Sequence, residues 1–324
     1  MKRIRVAQIG TSQNSHGRMI FSSLAKQTDL FEIAGYALPE GEREKFPKAV
    51  KVFEGYQERT VEEILRDPSI DAVVIETEEM YLTKYALMAA KAGKHIHMEK
   101  PGGLSLTDFE QLIALVKENR TVFHTGYMYR YNPAIQQVLQ EIKAGALGEI
   151  LSVEAQMNCI HPPEVREWLG NFPGGMMFFL GCHLIDLILQ IQGMPQKIVA
   201  MNKDSEFGFA LLEYSKGVSF AKTTAHEIGG FARRQLVVTG TKGTVELKPL
   251  EIGYPGSQVA TAKTVYADSA WKVPGVFSET PPFDRYDAMM AAFARMAAGE
   301  QQNPYSYDYE LELYKTILKC CGVN

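Results

Sequence analysis

Short apolar runs alternate with stretches of helical periodicity through the first 125 residues. Residues 4–9, 31–37, 72–75, 95–98 and 122–126 read as buried strands, and 50–53 as a further short one. Helices are predicted at about 18–26, 61–65, 80–92 and 106–117. Thr60 with Glu63 forms a capping box for the second of these, and Gly93 stops the third. This repeated strand–helix order predicts a parallel, doubly wound sheet. The pattern then changes. Asn132 and Pro133 open a helix to about Ala144 as N-cap and first helical residue. Residues 149–157 alternate as a strand, 158–175 are turn-rich, and 174–190 are strongly apolar. Strands follow at 207–212, 218–224, 235–239 and 244–248, with Gly217 and Gly240 in turns. Residues 251–283 look irregular, and 287–298 and 307–320 read as closing helices, with Tyr305, Tyr307 and Tyr309 as a packing cluster. Two domains are therefore expected: an α/β unit over 1–125 and an α/β unit with a large, mostly antiparallel sheet over 126–324.

A length of 324 residues fits two cores better than one. Apolar residues make up 46% and charged residues 22%, and the formal net charge of −4 argues against nucleic acid as a partner. No apolar run reaches the roughly 18 residues of a membrane span, and the first ten residues enter a strand without a signal-peptide pattern. Cys159, Cys182, Cys320 and Cys321 have neither metal-ligand spacing nor a disulfide framework. A reduced, metal-free, cytoplasmic protein is the expectation.

Candidate chemistry concentrates at the predicted carboxyl ends of the strands, where open α/β sheets bind ligands. Gly10 to Gly17 joins a strand to a helix, the setting of a dinucleotide site. Its middle glycine is replaced by Ser12 and the loop is longer than usual, so Ser12, Ser15 and backbone amides would meet phosphate, with His16 covering it or capping the helix. After the second strand Glu40 could reach a ribose, whereas Arg43 could favour a phosphate. Glu99 and Lys100 follow the strand 95–98, and a lysine there can hold a hydroxyl oxygen or move a proton; a solvated surface turn is the plain alternative. Tyr127 and Arg130 lie at the passage between the domains, as substrate contacts or as packing. His161 and Trp168 fall in the turn-rich segment, which could close over a small polar ligand. His183 and Asp186 share a helical face, so the histidine could relay a proton with Asp186 orienting it, or be a satisfied core residue. His226 is expected at the surface.

These features resemble the glucose–fructose oxidoreductase and inositol dehydrogenase superfamily, the Gfo/Idh/MocA-like oxidoreductases. Residues 92–101, Ala-Gly-Lys-His-Ile-His-Met-Glu-Lys-Pro, and 181–186, Gly-Cys-His-Leu-Ile-Asp, carry the resemblance. The Gly10–Gly17 loop and 239–244 support it. The resemblance implies an N-terminal Rossmann fold binding NAD or NADP, a small sugar or polyol as substrate, and a homodimer or homotetramer. It implies catalytic roles for Lys100 and His183, and places Thr77, Glu78 and Glu99 near the cofactor. The sequence departs from the family at Phe179, where an aspartate is common, at Thr77-Glu78-Glu79 in place of Thr-Pro-Asn, and at Leu82 in place of a histidine. A nicotinamide-assisted lyase, epimerase or glycosidase, and a non-catalytic nucleotide-binding sensor, remain alternatives.

Overall fold

The structure is a computed structural model and describes residues 2–323. The chain divides into two compact units. One runs up to Tyr127 and takes back Tyr286–Tyr314; the other comprises Met128–Arg285 and the residues from Lys315 onward.

In the first unit, strands β1 (Ile4–Ile9), β2 (Phe31–Ala37), β3 (Ala72–Ile75), β4 (His95–Met98) and β5 (Phe123–Thr125) form one sheet in the order β2-β1-β3-β4-β5. Every pairing is parallel. Ala72, Val73, Val74 and Ile75 are all fully buried, as a strand covered on both faces requires. The helices are α1 (Gly17–Lys26), α2 (Glu42–Lys45), α3 (Pro47–Val50), α4 (Val61–Arg66), α5 (Leu82–Lys91) and α6 (Leu106–Asn119). Thr60 and Glu63 make both bonds of the expected capping box. Residues 50–53 are not a strand. Pro47 opens α3 and a 3-10 turn over Lys51–Phe53 continues it, burying Phe53 against Phe21 and Tyr36. The order of strands reverses between β1 and β3, so their carboxyl ends form the switch point at which such sheets take ligands.

In the second unit, the helix α7 (Pro133–Lys143) starts as the sequence predicts, with the Asn132 side chain accepting from the amides of Ala134 and Ile135. An eight-stranded mixed sheet follows. Its long inner strand β6 (Ile150–Asn158) pairs parallel with Val218–Thr224 and antiparallel with Gln235–Gly240. The turn-rich segment contains a short helix, α8 (Pro163–Leu169), and a π-helical turn at Met177–Gly181 leads into the buried helix α9 (Cys182–Gln192). The stretch 251–283 is more regular than expected. It holds strands Ala262–Tyr266 and Val276–Glu279 at one edge of the large sheet and parts of a separate three-stranded sheet. Among the described residues no helix is long and apolar enough to cross a membrane.

Candidate functional site

The turn after β1 has the features that a dinucleotide demands. Gly10 has φ +86°, and a Cβ there would lie 2.3 Å from Thr77 Cγ2, so only glycine lets the ends of β1 and β3 approach this closely. The loop is shaped by its own hydroxyls. Ser12 Oγ accepts from the amides of Asn14 and Ser15. Ser15 Oγ accepts from those of Ser12 and Gly17 and lies 3.3 Å from the Glu76 carbonyl, to which it donates. Ser12 and Ser15 thus build the turn that replaces the glycine-rich one. His16 is the N-cap residue of α1 but makes no side-chain cap. Instead its Nδ1 lies 3.3 Å from Glu99 Oε2, and its ring packs against Tyr286 at 5.3 Å. A tight turn, a ten-residue helix beginning at Gly17 and the switch point beside them fit a bound dinucleotide.

Beyond β2, Glu40 is a carboxylate: the Lys84 ammonium and the Tyr85 hydroxyl both donate to Oε1 and hold its pKa below the usual range. Arg43 turns the other way, to Glu58 and the Tyr36 hydroxyl. A cavity of about 420 Å³ opens here, lined among others by Leu38, Pro39, Thr60, Lys84, Tyr85 and Met88.

The strand ends β3 and β4 carry a buried charged cluster. Lys100 is 2% exposed and its Nζ lies 3.4 Å from Glu99 Oε1. Burial pushes both Glu76 and Glu99 up, but His16 and Lys100 hold Glu99 below the normal carboxylate range, and its charge drives Glu76 further up. Glu99 is therefore the anion and Glu76 the neutral acid. Glu79, on the 3-10 turn after β3, is pushed up to about 7 by burial, with Lys100 opposing. Glu78 is at the edge and pairs with Lys45 at 3.2 Å. Behind them, His97 Nε2 lies 3.6 Å from Glu76 Oε1 and its Nδ1 meets His124 Nδ1 at 2.7 Å. Burial lowers the His97 pKa to about 4, so the ring is neutral.

In the second unit His183 is buried on α9 with the Tyr129 ring edge-on at 5.2 Å. Asp186, one turn on, binds the Arg130 guanidinium by 2.8–3.2 Å contacts and accepts from Gln190 at 2.8 Å. Asp186 and Arg130 thus form one buried ion pair within this unit. Tyr129 donates to Glu251 at 2.6 Å, and Glu251 also takes Arg234 and Arg285. His161 Nε2 lies 2.9 Å from Cys159 Sγ, and burial lowers its pKa. Phe179 packs against the His161 and Trp168 rings, at 6.1 and 5.2 Å, so an aromatic wall stands at this position, which the family resemblance expected to hold an aspartate. His226 is paired with Glu206 at the surface. Tyr127 is buried in the first unit. Among the described residues no group of three or more His, Cys, Asp or Glu side chains converges to hold a metal.

Sequence reasoning missed Glu42, Glu76, His97, His124 and Glu251, and took Glu79 only as a charge near the ribose or substrate entrance. The acidic run Glu76–Glu79 and the alternation of His95 and His97 were visible, but not which of those residues would point inward.

A family model described as an oxidoreductase family with an NAD-binding Rossmann fold matches residues 4–127, and a GFO/IDH/MocA C-terminal domain matches 135–246. The chain is 25% identical over 198 residues to trans-1,2-dihydrobenzene-1,2-diol dehydrogenase of Mus musculus, spanning 58% of each chain. It is 25% identical over 256 residues to 1,5-anhydro-D-fructose reductase of Ensifer adhaerens, spanning 75% of this chain and 74% of that one. A 3-ketoreductase from Actinomadura kijaniata, solved with NADP and TDP-benzene, shares the fold at a TM-score of 0.78 and 18% identity, over 98% of this chain and 96% of that one.

Proposed function

Because the chain belongs to the Gfo/Idh/MocA oxidoreductase family with its NAD-binding Rossmann fold, we propose that it interconverts a hydroxyl and a ketone on a sugar, polyol or sugar derivative, with Lys100 and His183 in proton transfer. The observation that carries this reading is the buried Lys100–Glu99 pair at the carboxyl edge of the parallel sheet, beside the Gly10 turn. A buried ammonium needs an anion, and Glu99 supplies it. Held this way, Lys100 can donate to a substrate oxygen and stabilise negative charge on it. His183 is the second proton-transfer group, and in oxidation it accepts the hydroxyl proton. Gly10, Ser12, Ser15, His16, Gly17 and Thr77 form the cradle for the dinucleotide, with Glu40 and Glu78 at its rim. When bound, the nicotinamide supplies or takes up the hydride. Tyr127, Arg130, His161, Trp168 and Asp186 are proposed to shape the substrate side. Arg130 and Asp186 do so by fixing one another, and Trp168 by presenting an apolar face to a sugar ring. The mouse and Ensifer relatives are named for a diol and an anhydro sugar, substrates of the same chemical class.

The open face of the large sheet exposes Val199, Met201, Phe207 and Val218. We propose that a second copy covers it, giving a homodimer or a homotetramer. The test of function is nicotinamide absorbance of the purified protein with a panel of polyols and ketoses, wild type against Lys100→Ala. Substrate-dependent absorbance change that falls by about 10²-fold or more in the variant is the expected result. Product formation without net absorbance change would move the protein to internal-redox lyase, epimerase or glycosidase chemistry. Absence of any hydride exchange would sink the enzyme reading.

A further inference from the structure

Neither residue that the sequence offers for recognising the adenosine ribose is open. Glu40 is occupied by Lys84 and Tyr85, and Arg43 by Glu58 and Tyr36. A different group of cations stands beside the dinucleotide turn. The first residues of α2 pack onto that turn, where Glu42 Oε2 accepts from the Thr11 amide at 3.2 Å. Between the start of α1 and the α2–α3 segment lies a cavity of about 310 Å³, lined among others by Gln13, Arg18, Lys45, Phe46, Pro47 and Lys48. It thus sits beside the turn that follows β1, with the α2–α3 segment that follows β2 held to that turn by Glu42, and the loops after these two strands are the ones that meet the adenosine ribose in a doubly wound sheet. Three cations face it. Lys45 is paired with Glu78, while Arg18 and Lys48 have no ion-pair partner among the described residues.

We propose that this cavity takes a phosphomonoester, the 2′-phosphate on the adenosine ribose of NADP, with Arg18 and Lys48 as its principal contacts, so that the protein prefers NADP(H) to NAD(H). The inference rests on the dinucleotide reading above and deepens it. The charge balance favours an anion. The acids near the cavity are Glu40, Glu42, Glu44 and Glu78. Glu40 and Glu78 are each compensated by a lysine, and buried Glu42 is pushed up to about 9 and is neutral at pH 7, so exposed Glu44 alone stands against Arg18 and Lys48 and one cation is left in excess. Arg18 offers a planar fork suited to a phosphate, and the nearby start of α1 adds a favourable dipole.

Calorimetry on the full chain with 2′-AMP, 5′-AMP, NADP and NAD tests this. The wild type should bind 2′-AMP and NADP about 10- to 100-fold more tightly than 5′-AMP and NAD, the ordinary scale of one or two charge-assisted contacts. The double variant Arg18→Gln/Lys48→Gln should bind both members of each pair alike. Both side chains are exposed, and a thermal unfolding curve matching wild type confirms an intact fold. Equal or reversed preference in the wild type, or a preference that survives the double substitution, overturns the inference and leaves the dinucleotide reading standing. Competition by inorganic phosphate without any preference for 2′-AMP also overturns it, assigning the cavity to another phosphate. If neither dinucleotide binds, the proposed function itself fails.

Discussion

Replacing Asp186 with alanine removes the anion that holds Arg130, and the structure allows the consequence to be estimated. Both side chains are 1% exposed. The carboxylate takes Arg130 Nε at 3.2 and 3.0 Å and Nη2 at 2.8 Å, and it also accepts from Gln190. Taking one partner from a buried pair leaves an uncompensated charge, which costs about 3–5 kcal/mol. For a unit of this size each kcal/mol lowers the melting temperature by roughly 2–4 °C, so Asp186→Ala should melt on the order of 10 °C lower. The assay can be confined to the right unit. Both tryptophans, Trp168 and Trp271, lie in the second unit. Trp271 is 90% exposed, so the fluorescence change on unfolding comes mainly from Trp168, packed against Phe172 and Phe179. Denaturant curves followed by tryptophan emission should shift their midpoint with little change in slope. The double replacement Arg130→Met/Asp186→Leu should recover most of the loss, because an apolar pair leaves no buried charge. A loss below about 1 kcal/mol for Asp186→Ala would refute the reasoning, since the guanidinium would then have found water or another acceptor without cost.

Gly10→Ala should be destabilising by about 1–3 kcal/mol and should abolish dinucleotide binding, read by calorimetry, because its Cβ would strike Thr77 Cγ2 at 2.3 Å and its φ is +86°. Glu42 gives a pH signature. Its folded pKa of about 9 lies above its ordinary value of 4.5, so the unfolded chain loses the proton first and stability falls as pH rises from about 4.5 to about 9. Glu42→Gln should flatten that slope in denaturant titrations at pH 5 and 8, a differential on the order of a few kcal/mol. His183→Ala should lower kcat by about 10²–10⁴-fold with dinucleotide affinity retained, measured by steady-state rates beside calorimetry. Retained kcat would remove the histidine from proton transfer.

Much of the scaffold was legible because its signals are local. The capping box at Thr60 and Glu63, the Asn132–Pro133 helix start and the apolar runs of β1, β3 and β4 each follow from side chains within a few residues of one another. The failures have local causes too. Val50–Phe53 alternates weakly like a strand, yet Pro47 had already set a helical start, and Phe53 is buried by a turn rather than a pleat. The helix Pro163–Leu169 was hidden behind Pro162 and Pro163, which read as a loop but serve as N-cap and first helical residue. The pairing of Arg130 with Asp186, 56 residues apart, and the threefold use of Glu251 depend on tertiary contacts that no sequence period encodes.

The acidic run Glu76-Thr77-Glu78-Glu79 shows how a surface-looking sequence becomes an interior device. Three carboxyls in four residues suggest a solvated edge, yet Glu76 and Glu79 are buried and only Glu78 reaches a surface lysine. Three buried acids around one ammonium cannot all be ionised, because each further anion would lack a partner. The structure meets this by sharing charge unequally. Glu99, between Lys100 and His16, keeps the negative charge, Glu76 keeps a proton, and Glu79 sits near neutrality. The histidines behind Glu76 obey the same constraint. An Nδ1–Nδ1 contact of 2.7 Å requires one ring to donate and the other to accept, so with His97 neutral the two rings hold opposite Nδ1 protonation. Removing the proton from Glu76 would place a second anion beside Glu99 and disturb this arrangement. The charge that Lys100 faces is thus set by residues that lie behind it in the sheet. Changes at Glu76 or His97 should therefore act on proton transfer from a distance, through the charge on Glu99 that faces Lys100 rather than through contact with a substrate, and the check is a displaced pH–rate profile.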